Sequence, residues 1–143
     1  MRKLSFFPII FLCVTLHAGT LAQAEQASIL NSDHHLHGHF GEFAQNRVSI
    51  LNKHYDGTPE KLRLEKNENG YTGRYQQIVP GSLRVEVKQT GSNTSPFIGV
   101  MYYTVMTYES NGKCSESVSS GPFQPVRKRN VTEIFRLVRG EWK

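Results

Sequence analysis

From Lys61 onward, the chain alternates apolar and polar residues in short runs separated by turn-forming residues. Such alternation is typical of strands with one buried face, because successive side chains point to opposite sides of a sheet. Parallel strands need crossovers of a dozen or more residues, and these turns are too short for that. The pattern therefore predicts an antiparallel meander of about five or six strands. Strands are predicted to begin near Leu62, Tyr71, Leu83, Phe97, Lys113 and Asn130.

Two features of the sequence say more about how the strands are arranged. The run from Phe97 to Tyr108 is apolar or aromatic on both faces, which predicts a central strand that is covered twice. Asn111-Gly112 is a strong signal for a two-residue hairpin turn. It predicts that the chain reverses there and continues as a strand over residues 113–119.

An amphipathic helix is predicted before the strands. Apolar residues recur at spacings near three, four and seven, and Asp56-Gly57-Thr58-Pro59 ends the pattern. These residues are Phe40, Phe43, Ala44, Val48, Leu51 and Tyr55. One helix packed on an antiparallel meander gives an α+β domain, predicted over residues 42–143, with a small β-barrel or sandwich as the alternative. Residues 25–41 are polar and rich in histidine, so we expect a flexible lead-in there.

The first 24 residues have the pattern of a secretory signal peptide. Arg2 and Lys3 precede an apolar stretch, and Ala22-Gln23-Ala24 has the small-x-small form expected before a cleavage site. The alternative is an uncleaved membrane anchor, but the apolar part is short for a bilayer span. Cleavage would remove two basic and no acidic residues and lower the formal net charge from +5 by two. We therefore expect an exported protein, periplasmic or secreted.

The length of 143 residues suits one domain and is too short for a TIM barrel. Processing after Ala24 would leave Cys114 as a single cysteine in an oxidising compartment. Such a thiol is buried and inert, reactive, or paired with a second copy of the chain. A dimer linked through Cys114 is therefore one open alternative.

A cluster of histidines in the lead-in is the first candidate for chemistry. Imidazole and carboxylate groups are ligands that Zn²⁺, Cu²⁺ and Ni²⁺ accept, and His-rich tracts are associated with metal binding. The candidate ligands are Asp33, His34, His35, His37 and His39. An exposed flexible tract binds metals weakly, because ordering it costs conformational entropy. Two alternatives therefore stay open: a protein that binds or buffers Zn²⁺, Cu²⁺ or Ni²⁺ through this tract, and a protein without a cofactor.

Basic residues concentrate near the end of the chain and form the second candidate site. The candidates are Arg127, Lys128, Arg129, Arg136 and Arg139. Such a bias can mark an anionic partner, for which we expect a polyanionic surface rather than nucleic acid. The alternative is a solvated strand edge, since exposed Lys and Arg also prevent edge-to-edge aggregation.

A third candidate is an apolar ligand pocket on the strand around Met101, Tyr103 and Val105. The chain contains no GxSxG, HExxH, Walker or CxxC motif. We therefore expect a non-enzymatic binding or accessory protein whose partner is a protein, a small apolar ligand or an anionic surface. The alternatives are a metal-binding protein and a hydrolase whose site has no recognisable motif.

Overall fold

The structure is a computed structural model that describes residues 27–143. The predicted signal peptide lies outside the described residues. Two helices and seven strands follow one another along this part of the chain. They are β1 (Ser28–Ile29), α1 (His35–His54), β2 (Arg63–Asn67), β3 (Gly70–Ile78), β4 (Arg84–Gln89), β5 (Phe97–Gly112), α2 (Ser115–Ser120), β6 (Gln124–Val138) and β7 (Glu141–Trp142).

Helix α1 begins earlier than the apolar spacing predicted. His34 caps it, because the ring Nδ1 accepts a hydrogen bond of 3.2 Å from the backbone N–H of Leu36. Residues 35–41, predicted to belong to a flexible lead-in, are therefore helical, and Leu36 and Phe40 are buried. Leu36 lies one turn before Phe40 on the same face, so the apolar stripe extends into the histidine tract.

The helix ends where the backbone must leave the helical conformation. Tyr55 is extended, and Gly57 follows with a φ of 91° that side chains with a β-carbon rarely adopt. The Oδ1 atom of Asn52 accepts a hydrogen bond of 2.9 Å from the backbone N–H of Ile78. This contact fixes the last turn of α1 over the end of β3.

The sheet is antiparallel and open, which confirms the predicted α+β fold and excludes the barrel or sandwich alternative. Strand β5 is central: β6 pairs along one side of it, while β4 and β3 pair with successive halves of the other side. Strand β2 extends the sheet beyond β3, and β1 extends it beyond β4. Five longer strands and two strands of two residues each make up the sheet.

The hydrophobic core lies between α1 and one face of the sheet. Phe40 is fully buried over Gly99, where a β-carbon would lie only 2.4 Å from the phenyl ring. Met101, Tyr103 and Val105 follow on the same face of β5 and are also buried in this core. The three residues predicted to line an apolar ligand pocket therefore pack against other protein side chains, and Val105 also borders a surface cavity.

The other face of the sheet is covered only near one end. There, Val118 of α2 is buried against β3 and β5. The predicted hairpin at Asn111-Gly112 is wrong, because both residues continue β5 and pair with Thr72 and Tyr71. The predicted strand over residues 113–119 is largely helix α2. Strand β5 is central as predicted, yet on this face Ile134 is 65% exposed beside the buried Val100, so none of residues 27–143 forms a second layer over Ile134.

Candidate functional site: a basic groove beyond the helix

The strands continue past the end of α1, so part of the helix-facing side of the sheet is uncovered. On β5, the residues that follow the buried Val105 on this side are Thr107 and Glu109. Two adjoining cavities of about 350 and 190 Å³ lie here. We call this concave surface the basic groove. It is lined by Asp56, Arg63, Glu65, Arg74, Gln76, Thr107, Glu109, Arg127 and Arg129, and by the apolar side chains of Val105 and Val126.

The register of β6 places two of the predicted basic residues in the groove. Arg127 pairs with Thr107, and Arg129 pairs with Val105. Directly paired residues share a face of the sheet, so both guanidinium groups extend from the side on which α1 lies. Both residues are exposed, and neither forms an ion pair with another residue of 27–143.

The other predicted basic residues lie elsewhere. Lys128 pairs with Met106 and Arg136 pairs with Ile98, which places both on the opposite face of the sheet. Arg139 has a positive φ of 52° in the turn between β6 and β7. The predicted cluster is therefore divided between two faces and a turn, because consecutive residues of a strand point in opposite directions.

One wall of the groove is a chain of alternating charges that the sequence analysis did not identify. Arg63 binds the carboxylate of Asp56, and its Nε donates to Oε1 of Glu65 at 3.0 Å. Arg74 joins Glu65 to Glu109, donating to Glu65 Oε2 at 3.1 Å and to Glu109 Oε2 at 2.7 Å. Each carboxylate in this chain is therefore paired with at least one guanidinium.

The ion pairs shift the protonation equilibria of their members. The hydrogen bond from Arg74, with a second from Asn111, lowers the pKa of the Glu109 carboxyl below its usual value. The hydrogen bond to Glu109 in turn raises the pKa of Arg74. Both groups therefore stay charged at neutral pH, and the wall contributes little unpaired charge to a ligand.

A third cavity, of about 480 Å³, adjoins the groove at the end of α1. It shares Asp56 and Arg63 with the larger of the two groove cavities. Lys53 and Lys61 also line it, and within the described part of the chain neither lysine forms an ion pair. Unpaired positive charge therefore lies at both ends of the combined depression.

A partly buried polar cluster connects α1 to β6. The hydroxyl of Tyr103 donates a hydrogen bond of 2.6 Å to Oε1 of Glu133. Oε2 of Glu133 accepts from Nε of Arg47 at 3.3 Å. Burial, together with the Glu133 carboxylate, raises the pKa of Tyr103 well above its usual value, so its hydroxyl remains a hydrogen-bond donor. This cluster ties the middle of α1 to β5 and β6.

The predicted metal ligands do not converge. His34 caps α1 and stacks on His35, with ring centroids 4.5 Å apart. His39 faces the ring of Trp142 at 6.3 Å. Asp33 lies in the turn before the helix, and His37 lies in its first turn. Across residues 27–143, no group of three or more His, Cys, Asp or Glu side chains is placed to hold a metal ion.

Cys114 is exposed, immediately before α2, so burial does not explain this thiol. Pairing of Cys114 with a second copy of the chain stays a prediction. Neither helix in the described part of the chain is long and apolar enough to cross a membrane.

Comparison with models of known protein families, with curated proteins and with solved structures gives no match for this chain. What the protein does must therefore be inferred from its own geometry.

Proposed function

We propose that the protein is an exported, non-enzymatic binding protein that recognises an anionic group of its ligand in the basic groove. The observation that carries this proposal is the position of Arg127 and Arg129. Both guanidinium groups line one concave surface, both are exposed, and neither is neutralised by a carboxylate of the described residues.

The chemistry of the groove suits an oxyanion. A guanidinium group presents planar donors that match carboxylate, sulfate and phosphate groups in a bidentate manner. Thr107 and Gln76 lie beside Arg127 on the same face and supply neutral hydrogen-bonding groups. A concave site also removes more of the ligand from water than a flat strand edge does.

Neutralising the two arginines tests the site. We expect Arg127→Gln/Arg129→Gln to weaken binding to heparin by roughly tenfold, because two exposed charge contacts contribute about 1.4 kcal/mol together. The measurement is the dissociation constant at fixed ionic strength, with the thermal unfolding midpoint as a check on folding.

Lys128→Gln/Arg136→Gln is the matched control, since it removes the same charge from the opposite face of the same strand. We expect this control to retain most of the affinity. Equal losses in the two variants would mean that heparin responds only to net charge, and an unchanged Arg127/Arg129 variant would exclude the groove as the site.

Export is supported by the composition of residues 1–24 and has its own test. The mass of the untagged protein from the exported fraction should correspond to a chain that begins at Glu25. A full-length mass in a membrane fraction would contradict this part of the proposal.

A further inference from the structure

The depression that contains the basic groove has two positively charged ends and a centre in which three carboxylates pair with two guanidinium groups. Arg127 and Arg129 lie at one end, on β6, and Lys53 and Lys61 lie at the other, around the end of α1. The ion-pair chain from Asp56 to Glu109 lies between them. A ligand that uses the whole depression therefore meets unpaired positive charge twice.

The separation of the two ends follows from the sheet. Arg127, Thr107 and Gln76 are neighbours on three adjacent strands, and the backbone N–H of Gln76 donates to the carbonyl oxygen of Gly57 at 3.0 Å. With strands about 4.8 Å apart, the backbone of Arg127 lies roughly 14 Å from the segment that carries Gly57. Reciprocal hydrogen bonds between Thr58 and Lys61 fix the lysine in that segment. The two charged ends are therefore carried by backbone segments three strand spacings apart, with the ion-pair wall between them.

The ion-paired centre limits the kind of ligand that can connect the two ends. Three carboxylates line it, so a chain with a negative charge on every unit would bring like charges together. Arg63 and Arg74 each use their Nε and Nη1 atoms in the ion pairs, and a guanidinium has further N–H donors. Those donors, with Thr107 and Gln76, suit neutral hydroxyl groups.

We infer that the depression binds an acidic polysaccharide whose anionic groups are separated by uncharged sugar units. This inference rests on the proposed function and adds the class of ligand and a second contact region at Lys53 and Lys61. One anionic group binds Arg127 and Arg129, the intervening hydroxyl groups contact the ion-pair wall, and a second anionic group binds the lysines.

The test varies two things: the length of the oligosaccharide, and the end of the depression at which positive charge is removed. Isothermal titration calorimetry measures binding of a hyaluronan disaccharide and octasaccharide, in which each uronate is followed by an uncharged sugar, to the wild-type protein and to Lys53→Gln/Lys61→Gln. We expect the octasaccharide to bind at least about tenfold more tightly than the disaccharide, because the longer chain reaches both ends. The lysine variant should lose roughly tenfold in affinity for the octasaccharide and keep its affinity for the disaccharide.

A polyphosphate of the same total charge as the octasaccharide separates the two polyanion classes, and we expect it to bind more weakly. Equal or tighter binding of polyphosphate would overturn the polysaccharide assignment. An unchanged octasaccharide affinity in the lysine variant would overturn the second contact region. In that case, a loss of disaccharide binding in Arg127→Gln/Arg129→Gln would still support the proposed function, whereas retained binding in both variants would contradict both proposals.

Discussion

The two halves of the helix-facing side of the sheet have opposite character, although β5 and β6 run through both. Under α1, β5 presents Met101, Tyr103 and Val105, which are all buried. Beyond the end of α1, the same face of β5 presents Thr107 and Glu109 to the basic groove. One strand thus changes from buried core to an open, charged groove at the point where its covering helix stops.

This difference separates what stabilises the protein from what can bind a ligand. The covered half is stabilised by removal of apolar surface from water and by close packing, as at Phe40 over Gly99. The open half is held by ion pairs such as Arg74 with Glu109, whose members remain partly exposed. Exposed ion pairs contribute little to stability, so their side chains can be changed with small effects on folding.

The largest expected effect is the loss of Phe40. Phe40→Ala should reduce the free energy of unfolding by about 3–5 kcal/mol, because the fully buried ring packs against Phe43, Phe135 and Trp142. Urea denaturation followed by circular dichroism measures the change. Thr107→Ala, in the open half, should alter it by no more than about 0.5 kcal/mol. Similar losses of unfolding free energy in Phe40→Ala and Thr107→Ala would show that the covered half does not stabilise the protein more than the open half.

A smaller effect is expected where the helix approaches the sheet most closely. Gly99→Ala should destabilise the protein by about 1–3 kcal/mol, because the new β-carbon would overlap the ring of Phe40. Gly41→Ala is the opposite case, since a β-carbon added at this helical position would meet no side chain or neighbouring strand within 4 Å. It should stabilise the protein by about 0.5–1 kcal/mol through its higher helix propensity. Thermal unfolding midpoints should move in opposite directions, and an unchanged or raised midpoint for Gly99→Ala would contradict the close approach.

The smallest expected effect is the pH dependence of the open half. The folded pKa of Glu109 lies below its ordinary value of 4.5, so its stabilisation is present above that value and is lost as the pH falls through the folded pKa. Glu109→Gln should therefore be destabilised by less than about 1 kcal/mol at pH 7, and the difference from wild type should shrink in acid.

Urea denaturation of Glu109→Gln at several pH values between 7 and 3 measures that difference, and Glu60→Gln supplies a matched charge change outside the ion-pair wall. A difference that stayed constant across this range would show that Glu109 acts through packing rather than through its charge.

Part of the fold could be predicted from the sequence because helices and strands have local periods. The apolar spacing from Phe40 to Tyr55 identified α1, and the alternation at Leu83, Val85 and Val87 identified β4. The start of α1 was missed because Leu36 is the single large apolar residue among the histidines. The Asn111-Gly112 signal was misleading because pairing of both residues with β3 overrides the local turn preference.

The basic groove could be predicted less well. The sequence identified Arg127 and Arg129 but grouped them with Lys128 and Arg136, which lie on the other face. A usable signal was present on β3, where Arg74 and Gln76 precede Ile78 at alternate positions. Polar residues at core-facing positions of a strand indicate that the covering helix has ended.

The sequence by itself determined which segments form the main helix and most of the strands, since the period of apolar residues depends on neighbours only a few positions apart. Only the tertiary structure decided which charged side chains meet. Asp56, Arg74, Glu109 and Arg127 come from distant parts of the chain, and the pairing register of three strands places them on one surface. A shift of one residue in that register would turn each side chain to the opposite face, which is why the groove follows from strand pairing and not from composition.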